Sequence, residues 1–269
     1  ASLAQHRFQP MAAAEQAAEQ REKQDTMASV SFRPSYFISG GQTGADSIPI
    51  AVYEELGVGL RGYLPEKCER DDGKGQWIAA QHGLWEGQGS YDWRDRANAS
   101  MSDALLAFLV DKPMTGKGTM QTANLFVNGT QDFVVLEKPK GYGHRVIPPA
   151  DTPPADQPQD PTFPFSHDKP KHPIDPAKHV GRPVLVFWDL SPENMDENAK
   201  VLHEFINTYR PWSLMVAGPV ETTSPNIVRL GAELMLRALG GDAGSDAEAW
   251  QKRMEAACSA DASMRADAR

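Results

Sequence analysis

Tyr36-Phe37-Ile38-Ser39-Gly40-Gly41-Gln42-Thr43-Gly44-Ala45-Asp46 is the stretch that decides the fold. Tyr36 to Ser39 reads as a short strand that ends at Gly40 and Gly41. Asp46 to Leu56 reads as a helix, with Pro49 in its first turns, where a missing N–H does no harm. A strand, a glycine-rich turn and a helix in this order start an α/β unit. Glycines let the backbone turn tightly and approach a ligand closely, and the free N–H groups at a helix start attract an anion. The turn is neither G-x-G-x-x-G nor a P-loop, because no GK[ST] follows. A strand-to-helix turn without a ligand is the competing reading.

The same alternation continues outward. Ala104 to Val110 (ALLAFLV) is a continuous apolar run, as in a strand covered on both faces. Thr119 to Val127 predicts a helix and Phe133 to Leu136 a short strand. Pro183 to Trp188 and Ser213 to Ala217 predict two more buried strands. Between them, Asn194 to Tyr209 predicts a helix with Val201, Leu202, Phe205 and Ile206 on one face. Ser224-Pro225 predicts a helix start running to about Leu239, and Ser245 with Glu248 forms a capping box before a helix over 246–258. The expected fold is therefore α/β: a Rossmann-like parallel sheet with helices on both faces.

Composition sets the limits. The chain has 269 residues, a net charge of −9, 40% hydrophobic residues, 21 prolines and 22 glycines. The negative balance argues against a general nucleic-acid binder. No apolar run reaches the length of a membrane span. Cys68 and Cys258 cannot build a disulfide framework. The core amounts to about 160 residues, one domain by the usual size range. Residues 1–34 form an N-terminal arm, with Met11 to Gln24 made almost wholly of helix formers. Residues 35–240 form the Rossmann-like domain, interrupted by a proline-rich insertion over 138–180. Residues 241–269 form a helical C-terminal extension. The insertion holds 11 of the 21 prolines and four of the seven histidines, which argues against any strand ladder within it. His144, His167, His172 and His179 match no standard zinc spacing, so no metal site is expected. The chain starts at Ala1, which suggests either a processed N-terminus or numbering that begins inside a longer chain. Processing fits a soluble intracellular protein imported into an organelle, mitochondrion or plastid.

A second glycine cluster, Thr115-Gly116-Lys117-Gly118-Thr119, also follows a buried strand and precedes a helix. Two such loops at carboxyl ends of parallel strands face one crevice, where open α/β sheets bind ligands. Lys117 would neutralise an oxyanion there or stand as a solvated lysine. Arg94, in Tyr91-Asp92-Trp93-Arg94-Asp95-Arg96-Ala97-Asn98, would clamp an oxyanion or pair with Asp92 or Asp95.

These motifs together resemble the molybdenum-cofactor carrier-like proteins, within the wider Rossmann-like group that includes lysine-decarboxylase-like folds. The resemblance runs through ISGGQTGAD (38–46), GYLPEK (62–67), Asp72-Gly73, the Tyr91, Arg94, Asn98, Ser102-Asp103 spacing, TGKGT (115–119) and VAGPVETTSPNI (216–227). It covers 36–137 and 181–239. It implies a Rossmann-like domain, often oligomeric, that binds molybdenum cofactor, molybdate or a related phosphate-bearing ligand such as a nucleotide, with no established chemistry. The ligand-binding residues it points to are Gly40, Gly41, Gln42, Thr43, Gly44, Asp46, Arg94, Asn98, Thr115, Gly116, Lys117, Gly118 and Thr119. No catalytic residue is assigned. Against the family pattern, Ser47 replaces an arginine, Cys68 a basic residue, Lys117 a glycine and Asn124 an acidic residue, while Asp95 departs from an Arg-Thr pair. The site therefore keeps its backbone shape and loses part of its charge.

Three functions are compatible with this reading. The first is a non-catalytic carrier with a pocket for an anionic ligand. The second is an accessory subunit of a larger complex, with a degenerate pocket and protein partners on 1–34, 138–180 and 241–269. The third is a nucleotide-processing hydrolase, for which Asp46 or Asp103 would supply the carboxylate.

Overall fold

The computed structural model describes residues 32–110, 117–140, 143–149 and 180–240. Six strands form one sheet: β1 (Tyr36–Ile38), β2 (Gly59–Arg61), β5 (Ala104–Phe108), β6 (His144–Ile147), β7 (Val184–Phe187) and β8 (Ser213–Ala217). Their order is β2-β1-β8-β5-β7-β6. Every pair is parallel except β6 with β7, which is antiparallel. A separate parallel pair joins β3 (Tyr63–Leu64) to β4 (Trp85–Glu86). The fold is thus the expected Rossmann-like α/β sheet. β8, the last of these six strands in chain order, lies at the centre of the sheet between β1 and β5.

The helices are α1 (Ser47–Val52), α2 (Gly75–His82), α3 (Tyr91–Ser100), α4 (Lys117–Asn128), α5 (Met195–Tyr209) and α6 (Ile227–Leu239). The strand sequences explain the layering. All five residues of β5 and of β8 and all four of β7 are buried, because both faces of the sheet are covered. Side chains alternate across a strand, so Leu105, Ala107, Val184, Val186, Met215 and Ala217 share one face. There they pack with Met120, Ala123 and Phe126 of α4. α1 and α5 each pack on α6.

Four expectations need correction. Phe133 to Leu136 forms no strand, and Phe133 and Val135 are 45% and 56% exposed. Asn124 Nδ2 instead bonds the carbonyl oxygens of Thr130 (3.1 Å) and Asp132 (3.2 Å), which draws the chain onto α4 and away from the sheet. The insertion does contain a ladder. β6 occupies the proline-free run between Pro139 and Pro148, at a sheet edge where only one side needs partners. The first helix is shorter than expected: a 3-10 turn over Gly44–Asp46 leads into α1, and turns follow Val52. α6 starts at Ile227 rather than at Ser224, because Asn226 takes a left-handed conformation (φ 68°). The carboxylate of Glu221 accepts from the N–H groups of Asn226 (2.6 Å) and Val228 (3.3 Å), which satisfies that helix end. The expected helices over 11–24 and 246–258, and His167, His172 and His179, lie outside the described residues. Among the described residues no helix is long and apolar enough to cross a membrane.

Candidate functional site

A cleft of about 370 Å³ opens at the carboxyl ends of β1, β8 and β5. The first glycine turn supplies Gln42, Thr43 and Asp46, α3 supplies Tyr91, Arg94 and Asp95, and α4 supplies Gly118, Thr119 and Thr122. Gly218 to Val220, after β8, and Asp71 also line it. The two glycine-loop regions that the sequence singles out do face one crevice. Thr115 and Gly116 lie outside the described residues. Lys117 is exposed as the first residue of α4 and does not line the cleft.

The first turn is built from side chain to backbone. Ser39 Oγ donates to the carbonyl of Asp46 (2.6 Å) and accepts from the N–H of Gly41 (3.0 Å). Ser47 Oγ donates to the carbonyl of Gln42 (2.8 Å). Gly44 is required twice: its φ of +79° is left-handed, and a Cβ there would stand 2.5 Å from the N–H nitrogen of Glu221. The N–H of Ala45 donates to Pro219 (3.0 Å), so the turn is fastened to the loop after β8. The N–H groups of Gln42, Thr43 and Gly44 bond to no other described residue.

Arg94 is buried, and its Nη1 bonds the carboxylate of Asp46. Its Nε lies 3.0 Å from Asp95. Burial alone would lower the Arg94 pKa, but Asp95 and Asp46 outweigh it and raise the value, so the guanidinium stays charged. Burial pushes Asp95 up to about 6, against the pull of Arg94 and with Asp46 and Asp92 adding to the rise. Arg94 therefore meets two carboxylates rather than standing open as an anion clamp. Gly40 belongs to this arrangement, since a Cβ there would overlap Arg94. Among the described residues, the ionisable lining groups are three carboxylates (Asp46, Asp71, Asp95), one guanidinium and Tyr91. Burial, with Glu69 and Asp71, raises the Tyr91 hydroxyl, which keeps it protonated.

Asn98 sits outside the cleft. Its Oδ1 accepts from the N–H of Tyr63 (2.7 Å), and its Nδ2 donates to the carbonyls of Tyr63 (3.0 Å) and Ser39 (3.4 Å). It joins the end of β1 to β3. Asp103 precedes β5, at the amino end of the sheet, and accepts from Ser213 (2.9 Å to N, 3.0 Å to Oγ). That position removes it from the cleft and from the hydrolase reading. Among the described residues no group of three or more His, Cys, Asp or Glu could hold a metal ion.

Residues 37–144 match the circularly permutated YpsA SLOG family. The match runs from β1 to the first residue of β6 and stops before β7 and β8. A solved structure, a candidate molybdenum carrier protein from Syntrophus aciditrophicus SB, superposes with a TM-score of 0.52 at 18% identity. The superposition covers 77% of this chain and 96% of that one. No curated protein matches the chain. The resemblance read from the motifs is thus supported as far as similarity goes: residues 37–144 are similar to the SLOG family model, and the chain shares the fold of the Syntrophus protein.

Sequence reasoning missed Arg70, Asp71 and Thr122. Arg70 is buried, and its Nη1 bonds the carbonyl of Gly41. Its Nη2 reaches Ser47 Oγ (3.2 Å), the position where the resemblance expects an arginine, and its Nε bonds Asp72 (2.9 Å). Arg70 lies 29 positions from Gly41, and only the path of the chain after β3 brings the two together. The signal available in the sequence was an arginine inside the otherwise acidic run Glu69-Arg70-Asp71-Asp72.

Proposed function

We propose that this SLOG-like chain is a non-catalytic binding protein whose cleft takes a small organic ligand bearing a phosphate group. One observation carries the reading: Arg94, the guanidinium that lines the cleft, is held by Asp46 and Asp95, so the N–H groups of Gln42, Thr43 and Gly44 are the open donors of the first turn. Backbone N–H groups at the start of a helix donate to phosphate oxygens without needing a counter-charged side chain. The surrounding carboxylates and threonine hydroxyls suit ligand groups that donate hydrogen bonds. Both features favour molybdenum cofactor or a nucleotide over bare molybdate, which would meet the carboxylates with nothing to donate. Both cleft carboxylates on the turn and α3 are engaged by Arg94, which supports binding rather than turnover.

Isothermal calorimetry tests this with adenosine monophosphate, adenosine, inorganic phosphate and molybdate. The expected order of affinity places the organic phosphate first and molybdate last. Molybdate bound at least as tightly as the organic phosphate would reverse the ligand class. Hydrolysis of a nucleoside phosphate that Asp46→Asn abolishes would replace binding with catalysis.

A second reading, an accessory subunit of a complex, is favoured by the exposed run Phe133-Val134-Val135. Three consecutive exposed apolar residues held in place by Asn124 are the feature of the described surface that most suits a protein partner. The parts this reading assigns to 1–34, most of 138–180 and 241–269 rest on sequence.

A further inference from the structure

The geometry points to Arg70 as a positioning residue: with Ser47, it turns the N–H groups of Gln42 and Thr43 into a pair of donors for an oxyanion. The inference rests on the binding reading above and explains how the turn presents its donors.

In a planar trans peptide, C=O and N–H point in opposite directions. The carbonyl of Gly41 shares a peptide plane with the N–H of Gln42. That carbonyl is held by Arg70 Nη1. The carbonyl of Gln42 shares a plane with the N–H of Thr43, and it is held by Ser47 Oγ at 2.8 Å. Arg70 Nη2 in turn bonds Ser47 Oγ at 3.2 Å. Two consecutive carbonyls are thus tied to one latch, and each of the two N–H groups points away from its tied carbonyl. Both residues line the cleft, and neither N–H bonds another described residue.

The latch is itself fixed. The Arg70 side chain is 3% exposed, and Nε bonds Asp72, so all three guanidinium nitrogens have partners. A buried, fully bonded arginine has no freedom to swing toward a ligand. Its part is therefore indirect, and it is distinct from that of Arg94, which lines the cleft and holds Asp46 and Asp95. The positive φ of Gly41 (70°) lets the chain reverse between the two latched carbonyls and the end of β1.

The experiment measures binding of adenosine monophosphate and of adenosine by calorimetry to the full chain and to Arg70→Met, Arg70→Lys and Ser47→Ala. Losing an oriented pair of N–H donors to a charged oxygen should weaken adenosine monophosphate by about tenfold or more. Adenosine, which lacks the phosphate, should change by less than about twofold on the same scale. Arg70→Lys, which keeps one donor toward Gly41, should recover part of the loss. Ser47→Ala removes half of the latch without leaving a buried charge, so it serves if Arg70→Met does not fold. Equal weakening of both probes would show that Arg70 only holds the fold together, and no weakening of either would show that the latch does not orient the donors. In the ligand-free protein, amide resonances of Gln42 and Thr43 should shift on addition of inorganic phosphate, and Arg70→Met should abolish those shifts. Binding of adenosine monophosphate by the wild type with no shift at either amide overturns the latch and leaves the binding reading standing. Absence of binding by the wild type overturns both.

Discussion

Replacing Gly40 with alanine should break the buried pair that organises the cleft. Gly40 does not have a positive φ, so alanine fits its backbone and the penalty is steric. The new Cβ would overlap Nη1 of Arg94 and stand 2.5 Å from Oδ2 of Asp46. Both residues are buried, at 7% exposure each, and both line the cleft, so the way out for Arg94 is into the cleft and away from Asp46. Displacing Arg94 leaves Asp46 and Asp95 without their counter-charge in the protein interior. Breaking a buried ion pair costs about 3–5 kcal/mol. At roughly 2–4 °C per kcal/mol for a domain of this size, the melting temperature should fall by roughly 6–20 °C. The assay is thermal and denaturant unfolding of wild type, Gly40→Ala, Arg94→Ala and the double variant. In the Arg94→Ala background the Gly40→Ala change should cost less than about 1 kcal/mol, since the atom it strikes is gone. Gly57→Ala controls for generic glycine effects: it has φ +63° and nothing within 4 Å, so it should cost about 1–2 kcal/mol from backbone alone. A Gly40→Ala protein as stable as wild type, or costs that simply add in the double variant, would refute the packing of Arg94 against the turn.

Asp95 has a folded pKa of about 6, above its unfolded value of 3.8, so the folded state holds the proton more tightly and stability should fall as pH rises from about 4 to about 6. The change amounts to at most about 3 kcal/mol, and Asp95→Asn should remove it; parallel wild-type and variant profiles in a urea titration across that window would rule it out. Asn98→Ala removes three hydrogen bonds that join β1 to β3 and should destabilise by about 2–4 kcal/mol in chemical denaturation, while Asn98→Asp should do no better because a carboxylate cannot donate to the two carbonyls. Val135→Lys, at a 56% exposed position, should leave stability within about 0.5 kcal/mol; a loss of self-association in analytical ultracentrifugation would support the partner reading for the 133–135 run, and a large loss of stability would contradict the exposure.

The sheet was legible in the sequence where strands are apolar throughout. Ala104 to Phe108, Val184 to Phe187 and Ser213 to Ala217 carry that pattern because both faces are covered. β6 was not legible, since a four-residue edge strand between prolines buries little and leaves a weak pattern. Phe133 to Leu136 misled for the opposite reason: its residues suit a strand, but Asn124 and Gln121 bind the chain just before it, and β6 takes the sheet edge. Of the site, the glycine turn, Arg94 and Thr119 could be read from local spacing. The partners of Arg94 required the fold, because Asp46 is 48 positions away. Asn98 appeared in the motif spacing, but its role as a bridge between β1 and β3 depends on two backbones that meet only after folding. Arg70 was missed because nothing in its neighbourhood signals a contact with a turn 29 positions upstream.

The central claim is that the cleft between the first glycine turn and α4 binds an organic phosphate. Amide-detected NMR of the full chain, titrated with adenosine monophosphate, tests it most directly. The account predicts saturable shifts at Gln42, Thr43 and Gly44 and at Gly118 and Thr119, with smaller changes at Gly218 and none near Asp103 at the opposite end of the sheet. Saturable shifts confined to other surfaces, or none at the turn, would contradict it.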